Sequence, residues 1–277
     1  MNKRIELLAD GVWTFAADDH RCLFAEADES VVVINALAGG AATDALREAI
    51  AATVPGKPIS HIVHAIDHLD HVGGSAQLAP DATGVAHDLC AAVLAGRSES
   101  PIHRRVFGTG ETMEVDGLRL QLAHPGPSQG TGNLAVTIAG TGVLFIVGPR
   151  ADARYGLLND FHFRHATRVW RELVTDDVTI VVPGRGPVMD ADGLCRAADY
   201  IDALADATQH AFADGVPIWV YEAMEPYVRE RLAPMYGALD GFDDHVGIAA
   251  IRIVHYYLMG GWGLEDTAAP PLTAVQH

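Results

Sequence analysis

The sequence predicts an α/β protein: an αββα sandwich followed by a helical C-terminal extension. Three observations lead there. The order β-run, helix, strand occurs twice along the chain, as expected for two similar halves packed face to face with loops gathered at one edge. A buried-strand candidate, ISHIVHA (59–65), runs directly into a loop dense in histidine and aspartate. From Gly215 onward the apolar residues fall at helical rather than alternating spacing. The expected division is residues 1–195 for the sandwich and 196–277 for the extension, which would cover a cleft or form a dimer contact.

Each element follows from its local pattern. GVWTFAA (11–17), CLFAEA (22–27) and SVVVINA (30–36) are short β-rich runs separated by polar turns, as in a meander. Residues 41–53 repeat apolar positions at helical spacing until Pro55-Gly56 stops them. After ISHIVHA, Val85 to Leu94 reads as a second helix. Three further strands are expected in 111–125, 134–140 and 141–148, with glycine-containing turns between them. A helix over 164–175, a buried strand in VTIVVPG (178–184) and a long amphipathic helix over 190–213 follow. The apolar stripe of residues 242–262 suits packing on the sandwich or on a second copy. The polar tail, 266–277, is expected to be mobile.

Composition narrows the function. The 277 residues are enough to bury a full core. Lys+Arg number 19 and Asp+Glu 36, a formal net charge of −17, which disfavours nucleic acid and anionic membrane surfaces as partners. Cys22, Cys90 and Cys195 are scattered and odd in number, so no disulfide framework is read. No apolar core follows the two basic residues at the N-terminus, and no stretch is long enough to span a bilayer. A cytoplasmic enzyme on a small-molecule substrate is the resulting expectation.

Chemistry concentrates in one loop. His61, His64, His68 and His71 fall within eleven residues, interleaved with Asp67 and Asp70 and followed by Gly73-Gly74. Imidazole and carboxylate suit both divalent metals and acid–base catalysis, and a strand end is where clefts form in α/β folds. His162 and His165 in FHFRH (161–165) are explained as readily by a helix N-terminal surface. Residues 108–117 lack a P-loop Lys-Ser/Thr, and Ser128 in G-P-S-Q-G does not form the G-x-S-x-G elbow. Trp219, Tyr221, Tyr227, Tyr236, Tyr256, Tyr257 and Trp262 form core, a dimer contact or the lining of an apolar substrate pocket.

The loop resembles the metal-binding segment of the metallo-β-lactamase superfamily, His-x-His-x-Asp-His followed by Gly-Gly. Three more blocks resemble that family in order: HPGPSQGTGNL (124–134), VLFIVG (143–148) and VVPGRGPV (181–188). The resemblance covers roughly residues 8–210 and implies the αββα fold with its cleft. It also implies a dinuclear metal centre, and this chain departs from the pattern there. The first histidine falls on Ile66, the third on Gln129, the bridging aspartate on Gly148 and the last histidine on Arg185. His68, Asp70 and His71 survive.

No resident cofactor is therefore expected. A single zinc, iron or manganese rebuilt by His64, Asp67 or His124 beside His68 and His71 is the alternative. Arg185 either pairs with Asp70 in place of a metal or points to solvent. The favoured reading is an enzyme using His68, Asp70, His71, His64, Asp67 and Arg185 catalytically, with Gln129, Ser128, His124 and His162 contacting substrate. Hydrolysis of an activated ester or lactone, or a lyase or isomerase step begun by proton transfer, suits that set. A metal-dependent hydrolase with a rearranged mononuclear site, and a non-catalytic binding or partner subunit, are the other readings. A homodimer is compatible with all three.

Overall fold

The protein is seen in a computed structural model that describes residues 2–156 and 160–258, with side chains through Tyr256. The tail from 266 and Trp262 lie outside the described residues, as does the side chain of Tyr257.

The first sheet takes its seven strands in chain order: β1 (Lys3–Ala9), β2 (Val12–Ala17), β3 (His20–Glu26), β4 (Val31–Ile34), β5 (Ile59–His64), β6 (Thr83–His87) and β7 (Arg104–Val106). The β1–β4 pairs are antiparallel and the β4–β7 pairs parallel. The second sheet contains β8 (Gly110–Val115), β9 (Leu118–Ala123), β10 (Ala135–Ile138), β11 (Val143–Ile146) and β12 (Ile180–Pro183), in the order β12-β11-β10-β9-β8. Only its β11–β12 pair is parallel.

Helix α1 (Gly40–Thr53) joins β4 to β5, and two short helices, α2 (Leu69–Val72) and α3 (Ser75–Leu78), follow β5. Helix α4 (Asp88–Val93) follows β6, and α5 (Phe163–Glu172) lies between β11 and β12. Helices α6 (Ala191–Ala213), α7 (Tyr221–Tyr236) and α8 (Phe242–Leu258) complete the chain.

Period-two alternation divides the layers. Along β3, Leu23 and Ala25 point between the sheets, where they meet Leu120, Val136, Phe145 and Val182. Cys22 and Phe24 point the other way, onto Leu46 and Ile50 of α1. Outside the second sheet, Leu144, Ile146 and Val181 pack with Trp170 of α5, Leu204 of α6, Val228 of α7 and Val246 of α8 in one continuous core. The extension thus shares its core with the outer layer of the sandwich, and α6 runs unbroken across residue 195.

Four local expectations are corrected. Val85 and Ala86 belong to β6, because a parallel neighbour on each side makes a short apolar run a strand, and helix begins only at Asp88. Residues 111–125 form a hairpin, β8–β9, not one strand. It turns at Asp116-Gly117, whose φ angles of 45° and 80° suit a tight hairpin turn. KRIELLA, with no strand expected before residue 11, is the edge strand β1 paired with β2. RRV, also unpredicted, is β7, short enough that its neighbour decides it.

Candidate active site

The His/Asp loop leaves the C-terminal end of β5, an interior strand, and closes into α2. Gly74 lets it do so: a Cβ there would lie 2.5 Å from the Ala36 carbonyl oxygen and against Thr43 Oγ1. His68 occupies the N-cap position of α2 with extended backbone, Asp70 its first turn, and His71 its buried face. His68 and Asp70 therefore face a cleft of about 880 Å³, where they are joined by Gln129, Asp160, Arg185 and His245. His245 brings α8 of the extension to the cleft wall.

Two His–Asp pairs stand in this region. His68 donates from Nε2 to Asp160 Oδ2 at 2.5 Å, and His20 donates from Nε2 to Asp70 Oδ2 at 2.8 Å. The first is fixed by loop-to-loop main-chain bonds. Gly130 N donates to the Asp160 carbonyl, His162 N to the Ser128 carbonyl, and Gln129 bridges Phe161. The second is fixed by sewing the start of β3 to the turn after β12: Arg21 N donates to the Gly184 carbonyl, Gly186 N to the Asp19 carbonyl, and His20 bridges Arg185.

Arg185 forms an ion pair with Asp70 from that turn. Beside it the buried Arg150 holds Asp19 and Asp152, each through two hydrogen bonds.

The electrostatics follow these contacts. Burial opposes the charge of Asp70, but the His20 hydrogen bond and the Arg185 guanidinium outweigh it and hold the carboxyl well below the usual range. Burial also opposes a protonated His68, yet the Asp160 hydrogen bond and the nearby carboxylates raise it above its ordinary value. Asp67, its side chain only 7% exposed and 3.8 Å from His68 Nε2, is pushed up by burial. His71 is fully buried with both ring nitrogens unpartnered, and burial takes it down to about 3.

The remaining expected residues lie away from the cleft. His64 is buried at the end of β5, where Nε2 meets Ser75 Oγ at 2.8 Å. His124 donates from Nδ1 to the Asn133 carbonyl and stacks on His87 with centroids 3.8 Å apart. Ser128 is buried and accepts from the Asn133 amide. His162 Nδ1 meets the Tyr256 hydroxyl at 3.3 Å, tying α5 to α8. Sequence reasoning missed His20 and Asp160. Each is a single polar residue near a turn, and only the adjacency of Asp160 to FHFRH could have drawn attention to it.

The resemblance implies a dinuclear metal centre, and the donors present fit one cation rather than two, through a set that shares only His68 with the family's pattern. At Asp70, the Arg185 guanidinium and His20 share the carboxylate Oδ2, and a guanidinium there cannot coordinate and opposes a dication. At Gly148, with φ of 121°, a Cβ would lie 3.3 Å from Trp170 and 3.5 Å from Phe161 in a backbone conformation that favours glycine, and the position itself offers no ligand atom. The set that fits is Asp67, His68 and Asp160, which offer one ligand atom each, all within 4.8 Å of one another. The ligand atoms of His20, Asp70 and His71 also lie within 4.8 Å of one another, but Asp70 carries the arginine. Neither group includes His64 or His124.

No family model matches the chain. It is 38% identical over 269 residues to 2,4-dinitroanisole O-demethylase subunit beta of Nocardioides sp. (strain JS1661), covering 95% of this chain and 84% of that protein. With the alpha subunit of the same enzyme and organism it shares 30% identity over 265 residues, 92% and 80% of the two chains. Among solved structures, the metallo-β-lactamase from Pontibacter korlensis superposes with a TM-score of 0.62 at 20% identity, covering 73% of this chain and 99% of that one. The inverting sec-alkylsulfatase Pisa1 from Pseudomonas sp. gives 0.70 at 14% identity, covering 92% and 50%.

Proposed function

From the premise that the chain belongs to the family of the 2,4-dinitroanisole O-demethylase subunits and has the metallo-β-lactamase fold, we propose that it hydrolyses an activated carbon–oxygen bond in a small aromatic ether or ester. The carrying observation is that an acid–base pair, His68–Asp160, and an ion pair, Arg185–Asp70, line one cleft.

In this reading the Asp67–His68–Asp160 cluster takes a proton from the attacking water. The water oxygen bonds to the carbon bearing the ether or ester oxygen, and the old C–O bond breaks. The cluster returns the proton to the departing oxygen, so a methyl aryl ether and water give a phenol and methanol. Arg185 and Gln129 face the negative charge that gathers on ring substituents or on a carbonyl oxygen during the addition. Asp70 and His20 hold the guanidinium in place. A divalent cation held by Asp67, His68 and Asp160 would supply Lewis acidity there, lowering the pKa of a water molecule.

The test is turnover of 2,4-dinitroanisole and 4-nitrophenyl acetate in ¹⁸O-labelled water, read by release of nitrophenolate. Label in the phenol identifies attack on the ring, and label in acetate identifies acyl attack. Absence of turnover of both compounds, by the chain alone and with co-expressed partner chains, overturns the reading.

The two curated relatives are subunits of one enzyme, and this chain is proposed to assemble likewise with a second chain of its own fold. The exposed Phe212, Trp219 and Met235 of the extension support it, since large apolar side chains in water favour burial at an interface. Native mass spectrometry should give either an oligomer of the chain itself or, on co-expression with a second chain of the same fold, a complex of the two, and a strict monomer in both preparations rejects the assembly.

A further inference from the structure

We propose that Asp67, His68 and Asp160 form a single divalent transition-metal site, while Arg185 stands as a permanent organic cation beside it. The inference deepens the functional reading above, resting on it only for the role of the cleft.

The donor set is one imidazole and two carboxylates, borderline and hard ligands that suit zinc, manganese or iron. Three protein ligands with a side open to the cleft is the arrangement of a catalytic rather than a structural metal site, and His68 and Asp160 both line that cleft. The set carries two negative charges with the imidazole neutral, so a dication neutralises it. Asp67 adds to this: its side chain is more than nine-tenths buried beside His68, and a neighbouring cation offsets the cost of burying a carboxylate.

The loop beside the cluster carries no side chain at Gly130. Gly130, at φ of 76°, lies where a Cβ would be 3.2 Å from Asp67 Oδ1 and 3.5 Å from Asp160 Oδ2, so its lack of a side chain keeps the space beside the two carboxylates open. Asp67 and Asp160 are outside the family's ligand pattern. The site is thus a rebuilt one, and Arg185 with Asp70 makes it asymmetric.

The experiment uses the full chain purified without affinity metal and stripped with chelator, then titrated calorimetrically with Zn²⁺ and, separately, reconstituted with Co²⁺ for its visible spectrum. The expected result is one Zn²⁺ per chain and cobalt d–d bands. Asp160→Asn and Asp67→Asn should each weaken Zn²⁺ affinity by 10-fold or more, since losing even an outer hydrogen-bond partner of a ligand costs about 10–100-fold. Asp70→Asn and His20→Ala should leave the stoichiometry at one. Thermal melts confirm that each variant is folded, and His68→Gln provides a second ligand variant if Asp67→Asn is not.

No Zn²⁺ binding by the wild-type chain overturns the site. So does binding that survives Asp160→Asn and is lost in Asp70→Asn or His20→Ala. One bound metal without turnover of either aryl substrate supports the site while rejecting the hydrolase reading. Turnover by a chain that binds no metal does the reverse.

Discussion

Arg185 and Asp160 each act on the cleft through a partner far away in sequence, and each gives a direct test. Arg185→Gln removes the charge facing the cleft while leaving Asp70 its His20 hydrogen bond. Loss of one donor to a developing anion costs about 10²–10³-fold in kcat, so steady-state rates on an aryl substrate should fall by that range. Asp160→Asn removes the carboxylate that orients His68, and the rate should fall by about 10²–10⁴-fold, the usual span for a general acid–base group.

His64 belongs to stability instead. Its pKa is pushed down to about 4 by burial, against about 6.5 in an unfolded chain. The unfolded state therefore binds the proton first: stability is complete above pH 6.5 and falls as pH drops toward 4. The loss is about 1.4 kcal/mol per pH unit and about 3 kcal/mol in all. Urea unfolding across this window should show the decline, and His64→Asn should make it shallower, the buried His71 and His124 keeping their own shares.

Secondary-structure elements were legible where periodicity is long and one-sided. Helix α6 repeats apolar positions over 23 residues, so its sequence alone identifies it. The TGVAH strand β6 and the RRV strand β7 were not legible, because five and three residues cannot distinguish periods of 2 and 3.6. Their parallel neighbours decide them. At this scale two substitutions test the packing behind the cleft. Gly74→Ala drives a methyl into the Ala36 carbonyl and should cost about 1–3 kcal/mol in denaturant unfolding, with the His68–Asp70 segment displaced. Trp170→Ala empties the wall behind Gly148 and should cost about 3–5 kcal/mol.

For the molecule as a whole, the outer core joins β11 and β12 to all four helices from α5 to α8. Cutting the chain after residue 214 would expose Leu204, Ala207 and Ala211 of α6 along with the α5 face. Such a fragment is expected to lose its cooperative thermal transition, whereas the full chain should melt in one step. Independent two-step melting of the full chain would separate the extension from the sandwich.

The sequence by itself determined the layered α/β fold, the loop that carries His68 and Asp70, and the helical character of the C-terminal part. Apolar periodicity and turn residues are local, and they encode which face of each element is buried. By resemblance it also aligned Ile66, Gln129, Gly148 and Arg185 with four positions of the family's ligand pattern. Only the tertiary structure decided what replaces them. His68 meets Asp160 92 residues away, Asp70 meets His20 at 50, and Arg185 reaches Asp70 across 115. Such pairings depend on how the two sheets align their loops, and no spacing within one segment records that alignment. The same alignment turned His64, His124 and Ser128 into buried, hydrogen-bonded supports, because strand direction, not residue type, chose which histidines reach the cleft.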